Sequence, residues 1–470
     1  MREIIFLVFI FATINACTAN GIDVDPIVVK DSRISYLYGT KANRTEGKVS
    51  KQNGDFLKIT GPSSIEWSID VANTGIYEIY LCHSVKATAV ESNNVVITAG
   101  NVKVTSALRP TYGVWGDGSY ERILIPTPIK LNAGTQVLTL TIPETVKGNE
   151  VLSLRSLEIV PKAAKLSIEA EEKEAHRSRA NSSWLNKAGY GLMFHWTSQT
   201  INSDGTKMSY QMAVSDFKLD EYVKMVASTG AAYVLFTIGH AEPYCPAPMK
   251  SWEKYHPGHT TNRDLIMEMA NALNEKGIKL MCYFPTHVVA KYRKVNAKEF
   301  TGINMEIMKE FGERYGEKVA GYWFDGWYQC FEEYPDFSFK DFFKACKAGN
   351  ADRIIALNSW IYPPVTEWQE YWTGETASPV GLPHDGTVER GPGKGLRYQT
   401  LLIMEPYWVQ ESPIIPDPRF SADELTDYIS KSIANGGAVT INVGIYQDGT
   451  IGEKALRVLQ EVGKRIREKY

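Results

Sequence analysis

The chain alternates short apolar runs with longer amphipathic segments from Gly189 onward, and this alternation constrains its fold more than any other feature. Near-continuous apolar runs of strand length are typical of parallel strands that are buried on both faces. Strand and helix repeated over this length predict an α/β fold, a (β/α)8 TIM-like barrel. A doubly wound sheet is the alternative, but no Gly-x-Gly-x-x-Gly sequence follows any run. The predicted strands are GYGLMFHW (189–196), AAYVLFTIGH (231–240), IKLMCYFPT (278–286), VAGYWFDGW (319–327), RIIALNSW (353–360), EYWTGE (370–375), RYQTLLIM (397–404) and AVTINVG (438–444).

The segments between these runs have the spacing of amphipathic helices. The first two end at Gly230 and Gly277, and glycine commonly follows the last turn of a helix. The predicted helices cover 219–230, 263–277, 296–317, 338–347, 422–437 and 452–469.

Residues 25–162 differ, because short β-branched and aromatic runs are separated there by turn sequences such as Ala72-Asn73-Thr74-Gly75. Several short strands at this spacing predict a β-sandwich in front of the barrel. The charge-dense residues 163–182 are predicted to form a linker or connecting helix, and the barrel domain is predicted to span 183–470. The sandwich strands are predicted at 65–71, 75–82, 94–99, 122–125, 136–142 and 152–160.

The N-terminus is predicted to be a lipoprotein-type signal peptide over residues 1–17. Arg2 precedes a short apolar run, Ile4 to Ala12, which cannot span a bilayer as a mature helix. The sequence Ile14-Asn15-Ala16-Cys17 resembles a bacterial lipobox, in which the cysteine is lipidated and becomes the mature N-terminus. We therefore expect a bacterial periplasmic, outer-membrane or cell-surface lipoprotein, attached to the membrane only through its lipid. An ordinary cleaved signal peptide is the alternative.

The composition restricts the possible partners. A net charge of −3 gives the chain no basic character, so nucleic acid is not expected as a partner. Aromatic residues make up 11% of the chain, and aromatic rings stack on the C–H faces of sugars as well as filling large cores. The six cysteines include no Cys-x-x-Cys pair, so neither a zinc ribbon nor a dithiol redox site is indicated.

Polar and aromatic side chains stand at the predicted C-terminal ends of all eight strands, where barrel active sites lie. His195 and His240 are too few for a metal site, and no His-x-x-x-His sequence occurs, so we expect neither metal nor cofactor. Paired carboxylates among aromatic residues suit glycoside hydrolysis, with its oxocarbenium-like transition state. The strand-end residues are His195, Trp196, His240, Glu242, Tyr283, Asp325, Asn358, Trp360, Glu375, Glu405, Trp408 and Asn442.

Asp325 is the most informative of these residues. It lies in GYWFDGW (321–327), a run that otherwise predicts a buried aromatic strand. A carboxylate without a partner is unfavourable in such a strand, so a functional role is expected for it.

These residues resemble the α-L-fucosidase family of retaining glycoside hydrolases, and the likeness extends over most of residues 180–470. GYWFDGW is similar to the family's Trp-Phe-Asp-Gly strand, which carries the catalytic nucleophile. Five motifs in the same order indicate the same fold and superfamily. The other four are SWLNKAGYGLMFHW (183–196), AAYVLFTIGHAEPYC (231–245), IIALNSW (354–360) and ANGGAVTINVGIYQDGTI (434–451).

The resemblance implies a role for each matching residue. Asp325 would be the nucleophile, His195 and His240 would bind sugar hydroxyls, and Tyr283 and Trp196 would line the pocket. Two further residues are expected to contact substrate, Glu242 where the family has Asp and Trp360 where the family has Arg on strand 5.

Departures from the family pattern leave two questions open. Gly239 and Ala241 replace a Lys and a His on the second strand, which alters the hydroxyl pattern that the pocket can recognise. The family's Trp-Glu pair has no counterpart near Arg397, so the resemblance assigns no acid/base. Glu375 is the first choice from its position, and the other candidates are Glu405, Glu389 and Glu242.

The leading hypothesis is an exported hydrolase that removes a terminal α-L-fucosyl residue with retention, through a covalent glycosyl-enzyme intermediate. The second hypothesis keeps the fold and the chemistry but assigns a different sugar. The third is a surface glycan-binding protein with a catalytically degenerate barrel. The N-terminal domain resembles a carbohydrate-binding module in IEWSIDVANTGIYEIYL (65–81) and IKLNAGTQVLTLTI (129–142), and the alternative is that it only packs against the barrel.

Overall fold

The computed structural model describes residues 25–469, with gaps at 53–55, 87–93, 114–115, 145–151, 286–294, 380–386 and 389–391. An N-terminal β-sandwich packs against a barrel of parallel strands and helices. The fold class expected from the sequence is confirmed by this arrangement.

Twelve strands form the sandwich within the described residues: β1 Ile27–Val29, β2 Ser35–Tyr38, β3 Arg44–Gln52, β4 Phe56–Val71, β5 Gly75–Ser84, β6 Asn94–Ala99, β7 Val102–Ala107, β8 Tyr112–Gly113, β9 Gly116–Asp117, β10 Glu121–Leu131, β11 Gly134–Ile142 and β12 Leu152–Pro161. The barrel strands are β13 Tyr190–Phe194, β14 Tyr233–Thr237, β15 Lys279–Phe284, β16 Val319–Phe324, β17 Ile354–Leu357, β18 Tyr371–Ala377, β19 Arg397–Ile403 and β20 Ala438–Asn442. The helices are α1 Lys165–Ser178, α2 Ser183–Lys187, α3 Tyr210–Asp216, α4 Leu219–Thr229, α5 Lys250–Tyr255, α6 Leu265–Glu275, α7 Ala297–Tyr315, α8 Trp327–Glu333, α9 Phe339–Cys346, α10 Ala422–Ala434 and α11 Glu453–Lys469.

The long strand β4 organises the sandwich. It pairs with β11 along its C-terminal half, with β3 on its other edge and with β12 near its start, so one strand holds several others in register. Alternate residues of β4 point into the domain, and Trp67 lies fully buried there among Leu, Ile and Val side chains. The sequence prediction found only the second half of this strand, because the first half lacks a continuous apolar run.

The barrel strands are all parallel and follow the order β17-β16-β15-β14-β13-β20-β19-β18. Among the described residues, no strand ladder joins β17 to β18; one backbone bond, from the Glu370 N–H to Ile355 O at 2.8 Å, and two side-chain bonds connect them. The backbone N–H of Ile355 donates to Glu370 Oε2 at 2.8 Å, and that of Leu357 donates to Gln369 Oε1 at 3.1 Å. These bonds satisfy the free edge of β17 and close the barrel.

Residues of each barrel strand alternate between the barrel interior and the surrounding helices. On β16, Tyr322 and Phe324 pack outward against the helix layer, whereas Trp323 packs inward. Asp325 follows Phe324 directly, so it shares the inward direction of Trp323 at the C-terminal end of the strand.

The helix ends follow their local sequence signals. Gly230 and Gly277 have left-handed backbone angles, φ 75° and 73°, directly after the last turns that the sequence predicted. Ser421 and Glu424 form a capping box at the start of α10, which satisfies two backbone N–H groups there.

The sandwich contacts the barrel through aromatic rings and ion pairs. Tyr36 meets Phe331 of α8 edge-on with ring centroids 5.0 Å apart, and Tyr120 meets Tyr362 edge-on at 4.7 Å. Asp336 forms ion pairs with both Lys30 and Arg33 of the sandwich. The predicted connection at 163–182 contains helix α1 and the short helix α2 begins just beyond it.

Two further features concern the described residues as a whole. None of their helices is both long and apolar enough to cross a membrane. Their five cysteines are free and buried. Cys17, the predicted lipidation site, lies outside the described residues.

Candidate active site

The C-terminal ends of the parallel strands meet on one face of the barrel, and backbone hydrogen bonds fix two residues there. The N–H of Asp325 donates to Phe284 O at 2.9 Å, and the N–H of Asn358 donates to Phe324 O at 2.7 Å. Each bond extends the strand register by one residue beyond the ladder. The Asp325 and Asn358 side chains are therefore held at neighbouring positions on the rim.

Three donors converge on the Asp325 carboxylate. Oδ1 accepts from the backbone N–H of Gly326 at 2.8 Å and from Asn358 Nδ2 at 2.9 Å. Oδ2 accepts from the Tyr283 hydroxyl at 2.5 Å. The aromatic strand thus tolerates this acid because both of its carboxylate oxygens accept hydrogen bonds.

A second carboxylate, Glu375 at the end of β18, lies beside Asp325. Asn358 Nδ2 donates to Glu375 Oε2 at 2.7 Å and, with its other hydrogen, to Asp325 Oδ1 at 2.9 Å. The two oxygens cannot be farther apart than the sum of these distances. That limit agrees with the separation of about 5–5.5 Å in retaining glycosidases and lies below the 6.5–9.5 Å of inverting ones.

The two carboxylates differ in their surroundings. Burial, followed by repulsion from the Asp325 carboxylate, raises the pKa of Glu375 to about 8. Asp325 has three donors, whereas Asn358 is the one donor described for Glu375. Two acids in unequal environments can divide the roles of nucleophile and proton donor.

His195 at the end of β13 is a neutral hydrogen-bonding group. Burial, together with the nearby His240, lowers the pKa of His195 to about 3. Asn442 Nδ2 donates to Trp408 O at 3.1 Å, so its Oδ1 faces His195 Nδ1 at 2.7 Å and accepts a hydrogen from it. Nε2 of His195 is then left as an acceptor, suited to a sugar hydroxyl.

Aromatic rings surround the two carboxylates and His195. The His195 ring lies 5.3 Å from His240, 5.2 Å from Tyr283 and 5.3 Å from Trp408, measured between centroids. Tyr283 in turn stacks on Trp323 at 5.2 Å. The structure therefore brings His195, His240, Tyr283, Asp325 and Glu375 into one continuous cluster.

Trp196 does not belong to this cluster, contrary to the expectation from its position beside His195. Its side chain is fully buried in the helix layer, where Nε1 donates to Gln447 O at 3.1 Å. The reason is the alternation of side chains along an extended segment, which turns Trp196 outward when His195 points inward.

Glu242 and Trp360 lie farther from the reacting carboxylates. Glu242 is exposed and accepts a hydrogen bond from Ser198, and no described contact joins it to Asp325 or Glu375. Trp360 is half-buried on the loop after β17, where its backbone N–H donates to Asn358 Oδ1 at 2.9 Å. This backbone bond links Trp360 to the residue that joins the two carboxylates.

Of the remaining acid candidates, Glu405 has no described contact with Asp325 or Glu375. Glu405 is 1% exposed, and its Oε2 accepts from the Gly444 N–H at 2.8 Å. Burial raises the pKa of Glu405 to about 7. Glu389 lies outside the described residues.

Asn358, Trp408 and Asn442 complete the site, although sequence reasoning only noted them as strand-end residues. Asn358 joins the two carboxylates, and Asn442 fixes the orientation of His195. Their strand-end positions were the available signal. An amide at a strand end does not by itself indicate glycosidase chemistry, which is carried out by acids.

The part of the chain that the structure describes contains no cluster of side chains suited to a metal ion. No three of its His, Cys, Asp and Glu side chains are grouped so that they could hold an ion.

The family model described as alpha-L-fucosidase matches residues 206–469, which is more than half of the chain. The chain belongs to this family. The matched range contains four of the five resembling motifs, all but the first-strand motif at 183–196. The prediction of a glycoside hydrolase of the alpha-L-fucosidase family is confirmed.

Solved structures of bacterial fucosidases resemble this family member at low sequence identity. A Lactobacillus casei alpha-L-fucosidase bound to alpha-L-fucose is 15% identical, with a TM-score of 0.45 over 62% of this chain and 99% of that one. A Bacteroides thetaiotaomicron enzyme trapped as a covalent intermediate is 16% identical, with a TM-score of 0.44 over 61% and 74%. Isoenzyme 1 from Paenibacillus thiaminolyticus is 17% identical, with a TM-score of 0.45 over 63% and 76%. No curated protein matches the chain.

Proposed function

We propose that this family member removes a terminal α-L-fucosyl residue with retention, with Asp325 as nucleophile and Glu375 as acid/base. One observation carries the proposal: the amide nitrogen of Asn358 lies 2.9 Å from Asp325 Oδ1 and 2.7 Å from Glu375 Oε2. A shared donor at hydrogen-bonding distance from both oxygens keeps the acids at the spacing that a double displacement needs.

The first step forms the glycosyl-enzyme. An Asp325 oxygen bonds to the anomeric carbon while the bond from that carbon to the glycosidic oxygen breaks, and Glu375 gives its proton to the departing oxygen. The raised pKa of Glu375, about 8, keeps this proton in place at neutral pH. The products are a fucosyl ester on Asp325, an ionised Glu375 and the free aglycone alcohol.

The second step restores the enzyme. Glu375 takes a proton from water, the water oxygen bonds to the anomeric carbon and the ester bond to Asp325 breaks. Two inversions at the same carbon give net retention. His195 Nε2, an acceptor, is placed to hold a sugar hydroxyl throughout both steps.

The geometry favours an enzyme over a binding protein with a degenerate barrel. That hypothesis arose from the absence of a Trp-Glu pair near Arg397. Glu375 on β18 is a candidate for the missing acid, since its carboxylate shares a hydrogen-bond donor with Asp325. A binding protein needs no carboxyl pair at this spacing.

A different terminal sugar remains the second candidate, and the end of β14 supports it. Gly239 has φ 89°, and a Cβ there would lie 3.0 Å from Tyr244 O, so the family's Lys side chain has no place in this backbone. Glu242, where the family has Asp, is exposed. The end of β14 therefore lacks the Lys and the second His of the family pattern, and His240 is the one histidine of the pattern that it keeps.

Assay of the purified protein on aryl glycosides distinguishes the two sugars. We expect turnover of aryl α-L-fucoside. Proton NMR should show α-L-fucose forming first and β-L-fucose appearing only later, by mutarotation. Aryl α-L-galactoside, aryl α-L-rhamnoside and aryl β-D-galactoside are the comparison substrates. Faster turnover of one of these, or no turnover of the fucoside by folded protein, would contradict the choice of fucose.

We also propose export as a lipoprotein through Cys17, which rests on the lipobox-like sequence before it. Expression of the full chain in a bacterium should give a membrane-associated protein whose N-terminal peptide carries acyl chains by mass spectrometry. Cys17→Ala should abolish the acylation, because the variant lacks the residue that carries the lipid. Acyl-free wild-type protein starting at another residue would contradict the proposal.

A further inference from the structure

The sandwich contacts two barrel segments that follow catalytic strands. Helix α8 begins at Trp327, directly after Asp325 and Gly326, and its Phe331 packs against Tyr36 of the sandwich. The loop after β17 begins with Asn358, and its Tyr362 packs against Tyr120 of the sandwich. Both segments therefore have one end at the carboxyl pair and the other on the sandwich.

Arg155 of β12 touches both segments with one guanidinium group. It forms an ion pair with Glu332 of α8, and the side chains of the two residues are only 5% and 9% exposed. The same guanidinium lies over the Tyr362 ring at 4.3 Å and over the Tyr38 ring at 4.9 Å, measured to the ring centroids. The planar guanidinium can stack on aromatic rings while its N–H groups face a carboxylate, a geometry that the compact lysine ammonium does not reproduce.

The loop that Arg155 contacts is under backbone strain. Trp360 has φ 53°, a left-handed angle that is rare for a bulky residue. Its ring meets Tyr362 edge-on with centroids 5.5 Å apart, and Tyr362 N donates to Ser359 O at 3.0 Å. Strained residues persist where the surroundings hold them, and here the surroundings include Tyr362 and its sandwich contacts.

The strained residue determines which way the Asn358 amide faces. The Trp360 N–H donates to Asn358 Oδ1 at 2.9 Å, which turns Nδ2 and both its hydrogens toward Asp325 and Glu375. Relaxation of the loop would withdraw this donor and free the amide to rotate. The two acids would then lose the hydrogen-bond donor that they share, which keeps them at their present spacing.

We propose that Arg155 is a positioning residue for the catalytic pair, acting from the sandwich on helix α8, which follows Asp325, and on the loop that begins with Asn358. The proposal rests on the proposed function of the two acids. It assigns the sandwich a part in catalysis that needs no glycan-binding site within the sandwich.

Two variants test the role of Arg155 without relying on one that could fail to fold. Arg155→Lys keeps the charge but loses the planar group, and Arg155→Met with Glu332→Leu removes both charges together, so that neither is buried alone. Asp336→Asn is the matched control, because it breaks a sandwich–barrel ion pair with Lys30 and Arg33 away from the Asn358 loop. Circular dichroism and Tm establish that each variant is folded.

We expect kcat on aryl α-L-fucoside to fall about 10²-fold in the double variant, the loss that a misplacement of about 1 Å can cause, with a smaller loss in Arg155→Lys. KM should change little, because the sugar-binding histidines are untouched. The alkaline limb of the pH profile should move, since Asn358 and Asp325 both face Glu375. Asp336→Asn should keep the wild-type kcat and pH profile even where its Tm is lower.

Carbon-13 NMR of labelled glutamate, assigned with Glu375→Gln, reports the titration of Glu375 without any turnover. A shifted titration in the double variant and an unshifted one in Asp336→Asn support the proposal. Folded Arg155 variants with wild-type kcat and an unchanged Glu375 titration would overturn it. A wild-type protein without fucosidase activity would refute the proposed function instead, and the titration would still decide the role of Arg155.

Discussion

Replacement of Asp325 by alanine is expected to lower kcat by about 10⁴-fold or more, as befits loss of a covalent nucleophile. No other described carboxylate takes the position between Tyr283, Gly326 and Asn358. Without it, the fucosyl group has no acceptor on the enzyme and the first step stops. Steady-state assay on aryl α-L-fucoside measures the loss.

The same substitution should leave the fold intact, because Asp325 is only half-buried and water can enter the vacated space to accept from its three former donors. Azide should enter the space that the side chain vacates and restore turnover, giving a β-configured fucosyl azide by a single inversion. Asp417→Ala is the matched control, since Asp417 pairs only with Lys454 on the described surface. A folded Asp325→Ala protein with more than a tenth of wild-type activity would show that the nucleophile lies elsewhere.

Replacement of Glu375 by glutamine is expected to depend strongly on the leaving group. Natural glycans leave as poor alkoxides and need a proton, so their kcat/KM should fall by about 10²–10⁴-fold. Dinitrophenyl fucoside needs no proton to leave, and its first step should be nearly unaffected. Assay across aryl fucosides of graded phenol pKa measures this difference.

Glu375 also predicts the pH dependence of the reaction. The acid must carry its proton in the first step, and its pKa is raised to about 8 by burial and by Asp325. Wild-type kcat/KM on poor leaving groups should therefore be maintained at neutral pH and fall as the pH rises through about 8. The alkaline fall should be absent in Glu375→Gln.

Two controls decide whether another residue is the acid. Glu405→Gln removes a buried carboxyl that is hydrogen-bonded to Gly444, and Glu389→Gln changes a candidate outside the described residues. Neither is expected to make the rate depend on the leaving group. If one of them does and Glu375→Gln does not, the acid assignment passes to that residue.

The barrel could be predicted because its determinants are local. Apolar runs such as 231–240 and helix ends such as Gly230 and Gly277 each carry their signal within a few residues. The closing seam could not be predicted. Whether Glu370 and Gln369 serve as side-chain partners for β17 depends on how two non-adjacent segments meet.

The site was predictable to the extent that strand ends determine it. Asp325, Glu375, His195, His240 and Tyr283 all lie at ends that the sequence located. Trp196 lies in the helix layer instead, because the alternation of neighbouring side chains turns it away from His195.

The contacts of Asn358, Trp360 and Arg155 that position the two acids could not be predicted from the sequence, because they depend on how distant segments pack. The bridging role of Asn358 depends on the angle between two strands, and the left-handed φ of Trp360 is not encoded by a residue type that favours it. Arg155 lies about 200 residues along the chain from Asn358, so only the packing of two domains reveals their connection.

The most direct test of the central claim is the identity of the residue that carries the sugar during turnover. A 2-deoxy-2-fluoro-fucosyl fluoride slows the second step of a retaining enzyme more than it slows the first, so the ester accumulates. We predict that the intact protein gains the mass of one fluorofucosyl group and that the modified peptide contains Asp325. The same addition on another residue, or no addition while the fluoride is consumed with inversion, would contradict the account.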